Sequence, residues 1–120
     1  MPSQVVKAYL TSSGNYLFEL QASGYGKNGD KWTRSDEYIY IKASATADGE
    51  IISVKTTSQK ESDGIGDACA DKKFYGQFNG KNETNYGEID AISGATITTN
   101  GYKTAISKIF EAIKIIKGEA

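Results

Sequence analysis

Two predicted strands joined by an Asp-Gly pair constrain the fold of this chain more than any other feature. Residues 37–43 alternate Tyr and Ile, which is typical of a strand with two different faces, and residues 50–56 form a second run of strand length. Asp48 and Gly49 stand between these runs. Both residue types tolerate the positive φ angles of a two-residue hairpin turn. The pattern therefore predicts an antiparallel sheet.

Two further strands are predicted ahead of this hairpin. Residues 5–10 and 16–22 are rich in apolar and aromatic side chains, and Ser12-Ser13-Gly14-Asn15 between them is a turn signal. A loop of glycine and polar residues follows at residues 23–30. Most of the first sixty residues is thus expected to form sheet.

The carboxyl-terminal segment has the periodicity of an amphipathic helix. Its apolar residues recur at three or four positions, with two alanines beside them: Tyr102, Ala105, Ile106, Ile109, Ala112, Ile113 and Ile116. Thr98, Thr99 and Asn100 are candidate N-caps of this helix, and Gly118 is a natural stop.

A second, shorter helix is predicted at residues 68–75, with Phe74, Tyr75 and Phe78 as its core anchors. The expected fold class is α+β: an antiparallel sheet packed against a C-terminal helix, with a short mid-chain helix. The length of 120 residues suits one domain, and residues 1–120 are predicted to form it.

Composition removes several classes of function. The net charge is −1 with mixed signs along the chain, so no basic surface for nucleic acid is expected. Histidine is absent, which excludes His-based triads and the commonest general base near neutral pH. The single cysteine, Cys69, allows no internal disulfide and is expected to be a small side chain on a short helix. No apolar run approaches the roughly 18 residues that span a bilayer.

The segment from Asp90 to Asn100 carries the chemistry. Ser93-Gly94-Ala95-Thr96 is a turn of small residues that leads into the predicted helix, and Thr98 adds another hydroxyl. Backbone N–H groups at a helix start lack internal partners, and the helix dipole favours an anion there. These residues therefore suit a phosphate group, held by hydrogen bonds or by an ester. On composition alone a simple helix cap is the favoured explanation, because Ser and Thr clusters are common ahead of helices.

The same segment resembles the flavinylation motif of the FMN-binding domain family. Ser93-Gly94-Ala95-Thr96, with Asp90 ahead of it and Thr98 behind, is similar to that motif. The family includes the peripheral flavin subunits of sodium-pumping quinone reductase and of ferredoxin-NAD oxidoreductase complexes, and domains of extracellular electron-transfer lipoproteins. The resemblance implies that FMN is attached by a phosphoester to Thr96.

Other segments extend the resemblance over roughly residues 14–113. Glu61-Ser62-Asp63-Gly64-Ile65-Gly66 resembles the family's Glu-Thr-Pro-Gly-Leu-Gly loop, which implies that Glu61, Gly64, Ile65 and Gly66 contact the cofactor. Asp63 stands where the family commonly has proline, which leaves the loop less rigid and adds a negative charge. Taken alone, Asp63, Asp67 and Asp71 are also candidate calcium ligands, but they lack the spacing of an EF-hand.

The resemblance implies an electron carrier and no catalysis by the domain alone. The expected cofactor is covalent FMN, with Ile65 packed on its ring, and the expected partners are a flavin transferase and redox donors and acceptors. The related proteins imply an extracytoplasmic location, with membrane attachment through an anchor outside this chain. A cytoplasmic location is the alternative. The residues leave three other readings open: non-covalent FMN, an electron-feeding domain of a larger reductase, and a cofactor-free surface binding module.

Overall fold

Four strands and two helices make up the part of the chain that the computed structural model describes. It describes residues 4–22, 39–58, 69–90 and 96–118, with the backbone alone at residues 96–98. The strands are β1 Val5–Leu10, β2 Tyr16–Ala22, β3 Ile39–Ala45 and β4 Ile51–Ser58. The helices are α1 Lys72–Tyr75, continued by a 3-10 helix at Gly76–Phe78, and α2 Thr96–Ile116. The predicted α+β fold class is confirmed.

The strands form one antiparallel sheet in the order β1-β2-β3-β4. Alternate residues of the central strands are buried on the face that α2 covers: Tyr16, Phe18, Leu20 and Ala22 of β2, and Ile39, Ile41, Ala43 and Ala45 of β3. The Tyr and Ile alternation seen in the sequence thus divides the two faces of β3 as predicted. The register of β1–β2 contains one irregularity and that of β3–β4 contains two, which changes the alternation in the outer strands.

Two turns of the same geometry join β1 to β2 and β3 to β4. In the first, Thr11 N donates to Asn15 O (2.8 Å), Gly14 N to Thr11 O (3.0 Å), and Asn15 N to Thr11 Oγ1 (3.1 Å). Thr46, Gly49 and Glu50 repeat these three bonds at 2.9, 3.0 and 3.1 Å. Because Tyr16 pairs with Ala45, both turns lie at one end of the sheet, which we call the loop end.

The prediction of a two-residue hairpin at Asp48-Gly49 is wrong in its detail. The turn occupies residues 46–50, and only Gly49 has a positive φ, at +91°, since no non-glycine residue among those described has one. Gly14 takes the equivalent position at φ +86°. A type I turn followed by a left-handed glycine is the usual longer hairpin connection, and it needs one glycine rather than two permissive residues.

The outer edge of β4 is covered by the chain that follows the 3-10 helix. Ile51 N donates to Lys81 O (2.7 Å), Gly80 N donates to Ile51 O (2.7 Å), and Val54 N donates to Asn79 Oδ1 (3.2 Å). These bonds satisfy backbone groups that an edge strand otherwise exposes. They also fix the segment after the 3-10 helix to the sheet.

The mid-chain helix is shorter than the predicted residues 68–75. Asp71 has extended backbone angles (φ −82°, ψ 132°), and its side chain caps α1 by accepting from Lys73 N at 2.9 Å. The α-helix therefore begins at Lys72 and passes into the 3-10 helix after Tyr75. Phe74 and Phe78 are buried as predicted, whereas Tyr75 is partly buried against the core.

Helix α2 lies across the sheet and supplies much of the core. The predicted stripe is confirmed up to Ile113, but Ile116 is 42% exposed, and Phe110, which the periodicity missed, is buried. The N-cap candidates Thr98, Thr99 and Asn100 are wrong, because α2 begins at Thr96 and includes all three. The predicted stop is confirmed: Gly118 has φ +77° and donates its N–H to Ile115 O at 3.1 Å.

Candidate functional site

The predicted attachment residue is the first residue of α2. Helix α2 runs from Thr96 for 21 residues, its first turn contains no acidic residue, and Thr98 lies in that turn. The first N–H groups of a long helix have no intrahelical partner, and no carboxylate of this turn competes for them. The described backbone thus fits a phosphate group at this position. Ser93, Gly94 and Ala95, and the side chains of residues 96–98, lie outside the described features.

Asp90, which stands ahead of the predicted flavinylation motif, is held by Gln77 of the 3-10 helix. The Gln77 side chain accepts from Asp90 N at 2.7 Å and donates to Asp90 O at 3.1 Å. Both backbone groups of Asp90 are therefore fixed by one amide, which also donates to Phe74 O at 3.2 Å. The Asp90 carboxylate is exposed. The chain is thus tied down immediately before the predicted flavinylation motif.

The other predicted contact residues, Glu61, Gly64, Ile65 and Gly66, lie outside the described residues. Asp63 and Asp67 of the calcium alternative lie outside them too, whereas Asp71 caps α1. Within the described ranges, no group of three or more candidate metal ligands occurs. The description resumes at Cys69, which is buried, as expected for a small cysteine in a helical turn.

A buried hydrogen-bond chain connects Cys69 to α2. Thr56 of β4 donates its hydroxyl to Cys69 O at 2.5 Å, and its Oγ1 lies 2.8 Å from the Tyr102 hydroxyl. Since a threonine hydroxyl has one proton and Thr56 gives it to Cys69, Tyr102 must donate to Thr56. Burial raises the pKa of Tyr102 far above its usual value, against the smaller lowering effect of the Thr56 hydrogen bond. Tyr102 is thus a neutral donor at any physiological pH.

Three aromatic rings pack around this hydrogen-bond chain. The Tyr102 ring stacks on Phe78 (centroids 5.6 Å apart, planes at 13°) and meets Phe74 edge-on (5.0 Å, 86°). Phe74 and Phe78 also meet edge-on at 5.9 Å. Such geometries add to the free energy of apolar burial. We call six residues the anchoring cluster: Thr56, Cys69, Phe74, Gln77, Phe78 and Tyr102.

The anchoring cluster joins the flanks of the two segments that the sequence assigns to the cofactor. Cys69 is three positions beyond Gly66, and Gln77 holds Asp90, which is three positions before Ser93. Tyr102 belongs to α2, six positions after Thr96. One packed unit therefore fixes the chain close to both segments, although the two are about thirty positions apart in the sequence.

Sequence reasoning missed Thr56, Gln77 and Tyr102 as positioning residues. One feature of the sequence pointed to Thr56. The alternation of β4 places its hydroxyl in the core, where a polar group needs a hydrogen-bond partner. No such feature pointed to Gln77, because a glutamine beside Phe78 looks like any exposed polar residue. Tyr102 was expected in the apolar stripe, and its hydroxyl was the sign that the stripe also makes a hydrogen bond.

A separate cavity of about 290 Å³ lies at the loop end, far from Thr96. Phe110 and Ile113 form its apolar part, and Lys114 and Lys117 lie at its rim. Lys114 bonds Glu83 at 2.9 Å and Lys117 bonds Ala47 O at 3.3 Å, so both ammonium groups have partners. At 1.5 Å per residue, Lys114 is about 27 Å along α2 from Thr96. This cavity is therefore distinct from the predicted attachment site.

Comparison with known proteins identifies the family. Residues 36–111, more than half of the chain, match the FMN-binding domain family, and the chain belongs to it. The family predicted from the sequence is thereby confirmed, and FMN is supported as the bound cofactor.

A relative comes from an electron-transport assembly. The chain is 28% identical over 118 residues to one component of the proton-translocating ferredoxin:NAD(+) oxidoreductase complex of Clostridium ljungdahlii. The alignment takes in 84% of this chain and 58% of that relative. The chain therefore spans little more than half of the relative's length. In the described part of the chain, no helix combines the length and the apolar character that a membrane span requires.

Proposed function

We propose that this domain carries FMN esterified through its phosphate to Thr96 and relays electrons between redox partners. The observation that carries the proposal is the position of Thr96. It closes the Ser-Gly-Ala-Thr motif and is the first residue of a 21-residue helix without an acidic residue in its first turn. A phosphodiester keeps one negative charge, which the helix dipole and N–H groups without an intrahelical partner stabilise at such a position.

Attachment is a phosphoryl transfer that needs a second protein. The Thr96 hydroxyl attacks the flavin-side phosphorus of the FAD pyrophosphate, loses its proton, and forms the new P–O bond as the bond to AMP breaks. A metal-dependent flavin transferase supplies the catalytic groups. This chain contributes a threonine on a small-residue turn, and Gln77 bonded to Asp90 limits the movement of the chain entering that turn.

The cofactor supplies the redox chemistry, and the protein holds and shields it. Ser93, Gly94, Ala95 and Thr98 surround the phosphate in this proposal, and Glu61, Gly64, Ile65 and Gly66 line the ring. The anchoring cluster supports this arrangement because it fixes the chain near both groups of residues.

The proposed role is that of a carrier within a larger electron-transfer system. The chain has no histidine, and the relative is one subunit of an oxidoreductase complex. Redox donors and acceptors are therefore the proposed partners, met through small and weak interfaces. Proton translocation requires a membrane, which supports a membrane-associated setting for this domain by analogy with the relative's complex. The extracytoplasmic location is proposed from the family resemblance alone.

Intact mass of the chain co-expressed with a flavin transferase tests the attachment. We expect the wild type to gain the mass of FMN minus one water and to stay yellow after denaturation. Thr96→Ala is expected to gain nothing, because it lacks the attacking hydroxyl. Thr98→Ala is the matched control, since it removes a hydroxyl two positions away and keeps the attachment residue.

The other outcomes identify the alternatives. Flavin that is bound but released on denaturation indicates a non-covalent FMN domain. A colourless wild type, even with the transferase and added FMN, contradicts the proposal and indicates a cofactor-free module. Mass gain that survives in Thr96→Ala and disappears in Thr98→Ala would move the ester to the neighbouring hydroxyl.

A further inference from the structure

The hydroxyl of Thr56 is buried at a junction of three parts of the chain. Thr56 lies near the end of β4 and is only 8% exposed. Its hydroxyl donates to the Cys69 carbonyl and accepts from the Tyr102 hydroxyl. Cys69 and Tyr102 are both fully buried. Because water does not reach these groups, solvent does not replace the hydrogen bonds that Thr56 makes to them.

We propose that Thr56 is a positioning residue: it holds Cys69 against α2 and so sets the surroundings of the flavin. Cys69 lies three positions after Gly66, the last residue of the predicted cofactor loop, and Tyr102 lies on the helix that begins at Thr96. The effect on the flavin rests on the proposed function, whereas the tie between Cys69 and α2 does not.

The neighbouring Thr57 shows what distinguishes Thr56. Its hydroxyl also donates to a carbonyl, Tyr40 O, at 3.1 Å, but the bond is exposed and joins β4 to the adjacent strand β3. Water replaces such a bond at little cost. Thr57→Val is therefore the matched control for Thr56→Val, with the same chemical change one position away.

The reactivity of Cys69 measures the tie directly. It is the single cysteine of the chain and is buried, so a thiol reagent such as dithiobis(nitrobenzoate) reacts only when this region opens. We expect Thr56→Val to speed labelling in the native protein about tenfold, the effect of losing one buried hydrogen bond. Thr57→Val and Thr56→Ser, which keeps the hydroxyl, should label at the wild-type rate.

Local opening must be separated from general loss of stability. Labelling through local opening stays nearly constant at low urea, whereas labelling through global unfolding rises steeply with urea. The proposal that Thr56 holds Cys69 against α2 is contradicted if Thr56→Val leaves the labelling rate unchanged. It is also contradicted if the rate is faster but rises steeply with urea from zero. If Thr56→Val fails to fold, Thr56→Val/Tyr102→Phe takes its place, because it also removes the unpaired Tyr102 hydroxyl.

The flavin part is tested on the domain flavinylated by co-expression with the transferase. We expect Thr56→Val to change the midpoint potential and the fluorescence anisotropy of the attached FMN, and Thr57→Val to leave both unchanged. If Thr56→Val speeds Cys69 labelling but leaves the potential and the anisotropy unaltered, the proposal that Thr56 sets the surroundings of the flavin is wrong. Absence of FMN from the wild type contradicts the proposed function instead, and the labelling rates still decide whether Thr56 holds Cys69.

Discussion

The two ends of the sheet are built by different kinds of interaction. At the loop end, each turn is closed by bonds within five consecutive residues, Thr11 to Asn15 or Thr46 to Glu50. At the opposite end, the bonds join distant residues: Thr56 and Tyr102 are 46 positions apart, and Gln77 and Asp90 are 13 apart. The two turns of the loop end are thus closed by local bonds, although Lys117 also reaches Ala47 O from α2, whereas the anchoring cluster consists of bonds between residues that only the fold brings together.

This difference places the proposed cofactor site where the chain is held by non-local contacts. Closing a long loop costs conformational entropy that only a tertiary contact repays. Loss of one contact in the anchoring cluster should therefore release chain on several elements at once, whereas damage to a turn at the loop end should stay where it is made. The predictions below test that contrast.

The largest expected effect is that of Phe78→Ala in the anchoring cluster. Phe78 is fully buried and packs on Phe74 and Tyr102, so truncation should cost about 3–5 kcal/mol of unfolding free energy. Urea denaturation followed by circular dichroism measures the loss. Leu10→Ala at the loop end is the control: that side chain is 70% exposed, and its truncation should change stability by about 0.5 kcal/mol or less.

Equal losses from Phe78→Ala and Leu10→Ala would remove the contrast between the two ends. A loss from Phe78→Ala below about 1.5 kcal/mol, the lower limit for burying an aromatic side chain, would show that the cluster is poorly packed.

The next effect concerns the proton of Tyr102. Burial raises the pKa of Tyr102 in the folded protein, whereas the pKa of a tyrosine in the unfolded chain is about 10. The stability that this proton contributes is fully present below about pH 10 and is lost as the pH rises further, because only the unfolded chain then releases the proton. Tyr102 should therefore lower stability by about 1.4 kcal/mol per pH unit above that value.

Tyr102→Phe removes this titration, so comparison with the wild type separates the effect of Tyr102 from that of the other tyrosines. At pH 8 the variant should be less stable than the wild type by about 1 kcal/mol, the net value of one hydrogen bond. By pH 11 that deficit should disappear or reverse. A deficit that stays constant between these pH values in urea denaturation would contradict a buried, protonated Tyr102.

Most of the secondary structure was predictable because it depends on neighbouring residues. Strand β2 was predicted with its observed bounds, and the stop at Gly118 was placed correctly. Two of the failures of local rules arose where two patterns competed. Asp48 looked permissive, yet the turn uses Gly49 alone, and Thr98 looked like a cap although α2 had already begun at Thr96.

The sequence motif of the site could be predicted, but the residues that hold the neighbouring chain in place could not. Ser93-Gly94-Ala95-Thr96 stands together in the sequence, so resemblance was enough to propose it. Thr56 and Gln77 gain their meaning from Cys69, Tyr102 and Asp90, which only the folded sheet and helices bring near. No spacing along the chain encodes those pairs.

The last prediction concerns the turns of the loop end, where each loss should be well below that of Phe78→Ala. Gly14→Ala and Gly49→Ala each place a side chain at a φ near +90°, which costs about 1–2 kcal/mol. Neither added Cβ meets an atom closer than 4.0 Å, so backbone strain alone sets the cost, and the two losses should add. Gly87→Ala, with no neighbour within 4 Å and no positive φ, is the control and should be neutral. Neither turn variant should speed Cys69 labelling at low urea, and faster labelling in either would mean that the two ends of the sheet are coupled.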